Sequence, residues 1–126
     1  MIHGTGVDLI EIDRIRNSLD KYLEKFEERV FTKAEIDYCR SKADPPKHFA
    51  GRFAAKEAIL KSIGTGMADG IAWKDLEIVT RDSGQPELKV SGKAKALCDS
   101  KKIKTIHVSI SHEKGYAIAQ AIAETA

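Results

Sequence analysis

The chain has 126 residues, 42% of them hydrophobic, and carries 21 Lys plus Arg against 19 Asp plus Glu for a net charge of +2. That suffices for one globular domain with its own core and leaves no room for a second. The near-neutral balance argues against a general nucleic-acid or membrane-surface binder, whose basic excess is large, and no apolar run approaches the roughly 18 residues that span a bilayer.

Residues 1–9 read as a short β-rich stretch broken by Gly4 and Gly6. The opening MIHGTGVDLIEIDR lacks the basic segment, apolar run and small-residue cleavage site of a signal peptide, so the expected location is the cytoplasm. Next, Ile12, Ile15, Leu19, Tyr22, Leu23, Phe26 and Val30 recur at spacings of three and four, which predicts one amphipathic helix. At about 100° per residue, Arg14, Lys21 and Lys25 form a stripe apart from Asp13, Asp20, Glu24 and Glu27. Thr32-Lys-Ala-Glu35 has capping-box spacing and starts a shorter helix through Tyr38 and Cys39. Ala43-Asp-Pro-Pro46 breaks the chain. The next helix begins near Lys47 or His48 and ends at Gly64-Thr-Gly66.

Residues 73–80 read as a strand, Ser83-Gly-Gln-Pro86 as a turn and residues 87–90 as a second strand. Ser91 is an N-cap for a helix through about Cys98. Residues 104–111 and 116–123 predict a closing hairpin. Cys39 and Cys98 lie far apart and match no metal spacing, so both are expected as reduced, partly buried thiols. The pattern is that of a single α+β domain spanning residues 1–126.

Four constellations carry chemistry. On the helix RFAAKEAILKSIGTG, Phe49, Phe53, Leu60 and Ile63 share an apolar face with Ile59 on its flank, and Lys56 points into its middle with Arg52 alongside. A buried lysine is costly, so Lys56 must snorkel outward, pair with an acid or meet a ligand. Glu57 and Lys61 stand one turn apart, the spacing of a helix ion pair. The Gly64-Thr65-Gly66 turn permits close ligand approach, and its successive amides suit an anion-binding nest, although a glycine there is also an ordinary C-cap. In Gly6-Val-Asp8 an aspartate ends a β stretch, so that Asp8 and Glu57 become a candidate carboxylate pair for Mg²⁺; the plain alternative is an acid favourable to the following helix dipole. In His107-Val-Ser-Ile-Ser-His112, alternation puts Ile106, Val108 and Ile110 on one face and His107, Ser109 and Ser111 on the other. That is either a solvated face or a polar rail along a groove. No G-x-S-x-G elbow supports a serine nucleophile. Finally, the Arg14, Lys21, Lys25 stripe is either solvated or a docking face for an acidic partner.

Gly6-Val-Asp8-Leu-Ile-Glu11, Arg52-Phe-Ala-Ala-Lys56-Glu57-Ala, Lys61-Ser-Ile-Gly64-Thr-Gly66, Gly84-Gln-Pro86 and Val108-Ser-Ile-Ser111-His112, in that order over nearly the whole chain, resemble the holo-[acyl-carrier-protein] synthase family of phosphopantetheinyl transferases. The resemblance implies an antiparallel sheet packed with a long N-terminal helix and a central helix. It also implies transfer of the 4′-phosphopantetheine arm of coenzyme A to a serine of apo-acyl carrier protein, with release of adenosine 3′,5′-bisphosphate. By the same resemblance, Asp8 and Glu57 bind Mg²⁺, Lys61 contacts phosphate, and Arg52, Lys56, Gly64, Thr65, Gly66, Gly84, Pro86, Ser109, Ser111 and His112 fall in regions that enclose coenzyme A. It further implies a homotrimer with active sites between subunits, fatty acid biosynthesis as the setting, and Arg14, Lys21 and Lys25 facing the acidic carrier protein. The general base stays open between Glu57 and water. A nucleotide-pyrophosphate hydrolase and a non-catalytic coenzyme A or acidic-protein binding module are the competing readings.

Overall fold

The computed structural model describes residues 1–68 and 70–126. Strand β1 (Ile2–Glu11) leads into helices α1 (Ile12–Tyr22), α2 (Glu24–Val30), α3 (Lys33–Arg40) and α4 (Pro45–Ile63). A hairpin of β2 (Leu76–Thr80) and β3 (Pro86–Val90) follows, then α5 (Gly92–Ser100), β4 (Ile103–Glu113) and β5 (Tyr116–Thr125). The expected α+β domain with an antiparallel sheet is present. It holds a three-stranded sheet of order β1-β5-β4 and the separate β2-β3 ribbon.

Four local expectations are corrected. β1 runs unbroken through Gly4 and Gly6, with one register shift between Ile2 and Gly4. The long N-terminal helix is two helices, because Leu23 adopts φ 51° and ends α1. Tyr22 and Leu23 are therefore exposed, although both fit the apolar period. Residues 73–75 form a 3-10 turn rather than strand. The central helix begins at Pro45, since proline suits the first turn, where its missing N–H has no partner to lose. The Thr32 capping box is intact: Glu35 N donates to Thr32 Oγ1 and Thr32 N to Glu35 Oε1.

Helix α4 is the core of the molecule and is buried on nearly every side rather than along one stripe. Small residues let it lie close to the sheet. On β5, Ala117, Ala119, Ala121 and Ala123 all point inward and are buried. On β1, a Cβ added to Gly6 would sit 2.0 Å from the Ala58 carbonyl oxygen, and one on Gly4 would sit 2.4 Å from that of Ser62. Glycine is thus required wherever the strand meets the helix backbone. The far side of α4 carries the bulky residues, with the tilted ring pairs Phe49–Phe31 and Phe53–Trp73 4.9 Å and 5.2 Å apart between centroids.

Candidate active site

The glycine contacts place the end of β1 directly across from the second half of α4. Asp8 lies on the inward row of β1, between Gly6 and Ile10, and is half-buried. Glu57 is half-buried on α4, and burial followed by the Asp8 charge pushes its carboxyl above the usual carboxylate range, opposed by Lys61 and Arg14. Two carboxylates held close at partial burial is the arrangement that a hard cation relieves. Lys61 donates to the Val7 carbonyl at 2.9 Å and to Asp8 Oδ1 at 3.4 Å. The expected Glu57–Lys61 helix pair is not what forms, because the strand offers Lys61 closer oxygens. Among the described residues no group of three His, Cys, Asp or Glu side chains can hold a metal. The donor set fits Mg²⁺ bound by two carboxylates and completed by waters and substrate phosphates; it does not fit a closed protein cage.

At the C-terminus of α4, Gly64 is left-handed (φ 93°), and the Gly64 and Thr65 amides both donate to the Leu60 carbonyl. Those two N–H groups are consumed in capping the helix, so they form no anion nest. Gly66 has open space around it.

A second set of polar groups gathers where α4 meets β4 and the hairpin. Arg52 is buried, donates to Thr80 Oγ1 at 2.8 Å and lies 4.1 Å over the Tyr38 ring. Among the described residues, its Nε has no hydrogen-bond partner, and neither does His112 Nε2. Burial, then neighbouring cations, push the imidazoles of His48 and His112 below the usual histidine range. Arg52 Nε is thus a free donor, whereas the His112 imidazole, hydrogen-bonded to the Lys47 backbone and held below the usual range, presents Nε2 as an acceptor. Gly51 lets the His112 ring lie against α4: a Cβ there would lie 2.7 Å from His112 Nε2. Neither Gly51 nor Thr80 stood out in the sequence, although a glycine inside a helix pattern is itself a sign of close approach.

Lys56 corrects the sequence reading. It has no exposed surface, and its ammonium donates to Glu35 Oε1 (2.8 Å), the Val30 carbonyl (2.8 Å) and the Trp73 carbonyl (3.1 Å). Of the three fates open to it, pairing with an acid is the one realised, and no donor remains for coenzyme A. Burial pushes its pKa down, and the Glu35 carboxylate opposes that. Glu35 had shown itself only as the end of a capping box.

Register separates the other strand residues. Leu9 pairs with Ile118 and Ile118 with Ser111; Val7 pairs with Gln120 and Gln120 with Ser109. These two rows form the outer face of the sheet. His107, Ser109 and Ser111 keep the expected alternation and share the exposed face, while His112 stands on the opposite, helix-facing side with Ile110. Ser109 and Pro86 border a groove of about 460 Å³ between β3 and β4, floored by Leu88, Val90, Ile106 and Val108. Gly84 (φ 89°) makes the hairpin turn beside it. Arg14, Lys21 and Lys25 are all exposed, but the break at Leu23 places Lys25 on a different helix from the other two. Cys39 and Cys98 are buried free thiols, and burial pushes Cys39 up to about 12.

Comparison with known proteins gives a consistent result. The 4′-phosphopantetheinyl transferase superfamily model matches residues 4–121. A holo-[acyl-carrier-protein] synthase of Syntrophus aciditrophicus (strain SB) is 46% identical over 124 residues, covering 98% of this chain and 97% of the other. The crystal structure of the Neisseria meningitidis holo-[acyl-carrier-protein] synthase superposes with a TM-score of 0.91 at 29% identity, over 99% of this chain and 100% of that one. The Helicobacter pylori synthase, solved in complex with coenzyme A, superposes with a TM-score of 0.84 at 31% identity, over 95% and 99% of the two chains.

Proposed function

The chain belongs to the 4′-phosphopantetheinyl transferase superfamily, and from that premise we propose that it is a holo-[acyl-carrier-protein] synthase that uses coenzyme A and Mg²⁺ in the cytoplasm, serving fatty acid biosynthesis. The observation that carries this reading is the convergence of Asp8, Glu57 and Lys61 from β1 and α4. The carrier serine oxygen forms a bond to the phosphorus that bears pantetheine. The bridging P–O bond breaks, and its electron pair leaves with adenosine 3′,5′-bisphosphate. Asp8 and Glu57 would hold a Mg²⁺ ion, which would supply charge neutralisation at the pyrophosphate. Lys61 sits beside Asp8 to meet a phosphate oxygen and stabilise the departing charge. The serine proton passes to Glu57 or to a water. Because the nucleophile arrives on the partner, the enzyme needs none of its own.

The Arg52 guanidinium suits a phosphate of coenzyme A, and Pro86 and Ser109, which border the groove between β3 and β4, suit its remainder. Asp8 and Ile110 are separated by β5 in the sheet, about 10 Å apart at two strand spacings. Ser109 and Ser111 also face away from the carboxylates. A homotrimer with the site shared between subunits reconciles these placements, and the apolar outer sheet face supports it.

The direct test is mass spectrometry of an apo-acyl carrier protein after incubation with coenzyme A and Mg²⁺. A gain of one phosphopantetheine is the expected result. Cleavage of coenzyme A with no carrier protein present would favour a hydrolase instead.

A further inference from the structure

We propose that Lys56 and Glu35 are positioning residues that fix the rotation of α4 about its axis and so the separation of Glu57 from Asp8; the inference rests on the reading of those two carboxylates as the metal ligands. Three observations carry it. The Lys56 ammonium spends all three protons on oxygens from three separate pieces of chain: the end of α2 at Val30, α3 at Glu35 and the 3-10 turn at Trp73. Glu35 spends its own acceptors on the start of its helix and on one further piece of chain, with Oε1 also taking the Thr32 amide and Oε2 the Ile78 amide of β2, each at 2.9 Å. On the opposite side, Gly4 and Gly6 seat the helix backbone against β1.

Helix α4 is thus gripped on both sides, and Glu57 is the residue next to the grip. The surrounding Phe49, Phe53 and Trp73 contacts are apolar and non-directional, and by themselves they tolerate rotation. The hydrogen bonds of Lys56 do not. A side-chain tip lies about 5–6 Å from a helix axis, so a rotation of about 10° moves the Glu57 carboxylate by about 1 Å. A misplacement of about that size can lower activity by about 10²-fold. A buried ion pair is a poor source of stability compared with apolar residues of the same volume. What this pair does supply is direction.

The test compares wild type with the double variant Lys56→Met, Glu35→Leu, which removes both charges, and with the milder Glu35→Gln. Mn²⁺ binding in the presence of coenzyme A is read by electron paramagnetic resonance, and thermal unfolding is read alongside. The expected result is a double variant that melts below the wild type, since the Val30 and Trp73 carbonyls and the Thr32 and Ile78 amides lose their side-chain partners, yet unfolds cooperatively and, at a temperature below that melt, binds Mn²⁺ about tenfold more weakly. Its KM for Mg²⁺ should rise while its KM for carrier protein stays unchanged. Wild-type Mn²⁺ affinity in the folded double variant overturns the proposal. If the double variant does not unfold cooperatively, Glu35→Gln decides on the same readings, with an expected loss of about threefold; unchanged affinity there overturns it equally. A wild-type protein that binds no Mn²⁺ removes the metal reading itself and the inference with it.

Discussion

Glu57, which we propose as a metal ligand, is a residue whose charge costs the fold stability. Its pKa in the folded chain lies above the ordinary value of 4.5, because burial and Asp8 disfavour the charge. The folded state therefore holds the proton more tightly than the unfolded one, and stability falls as pH rises from 4.5 through the raised value. Above that window the ionised carboxylate is a standing cost of the metal-free fold. Glu57→Gln removes the charge while keeping the shape. Without metal, the variant should melt above the wild type at pH 7, and the gain should vanish well below pH 4.5. Saturating Mg²⁺ and coenzyme A should raise the wild-type Tm more than that of the variant. Scanning calorimetry across pH reads all three, and a variant that melts below the wild type at pH 7 contradicts the assignment.

Between elements, the approach of β1 to α4 decides whether the site exists. A Cβ on Gly6 would lie 2.0 Å from the Ala58 carbonyl oxygen and 2.9 Å from Lys61 Cβ. Both are fixed parts of the helix, so Gly6→Ala must push strand and helix apart. A loss of about 3 kcal/mol or more is expected in denaturant unfolding, and a change within about 0.5 kcal/mol would show that the contact relaxes freely. The break at Leu23 acts at the same scale: Arg14 and Lys21 ride on α1, while Lys25 begins a new helix. Arg14→Glu with Lys21→Glu should raise the KM for carrier protein about tenfold, mimicked by added salt, and Lys25→Glu should do less. A rise confined to the KM for coenzyme A would place the carrier protein elsewhere.

Across the whole molecule, the two sheet faces differ in kind. The inner face is closed by α4 against alanines and glycines, whereas the outer face exposes Val7 at 55%, Leu9 at 61% and Ile118 at 41%. Leu9 and Ile118 are cross-strand partners, with Ser111 completing the row. Apolar rows flanked by small polar residues are what an oligomer covers. Leu9→Asp should therefore convert a trimer to monomers in sedimentation analysis and abolish transfer while the monomer stays folded. A monomeric wild type, or a trimeric variant with full activity, would separate this face from assembly.

By itself, the sequence determined what depends on neighbours along the chain. The Thr32 capping box, the Gly64 and Gly84 turns, the closing hairpin and the α+β class are set by local hydrogen bonding, φ and periodicity, and all were legible. Asp8, Glu57 and Lys61 were legible as residue types suited to a metal and a pyrophosphate, and their ordered motifs pointed to one family. Tertiary structure decided whatever depends on what lies opposite. Leu23 fits the apolar period yet ends a helix, because the chain must turn there and leave its side chain in solvent. Lys61 forsakes Glu57 for β1 because the glycines bring that strand's oxygens within reach. Lys56, equally apt for ligand or ion pair on a helix wheel, meets Glu35 from 21 residues away. No local pattern records which carboxylate a fold will bring across its core, since partners of a buried charge are chosen by packing and desolvation rather than by spacing.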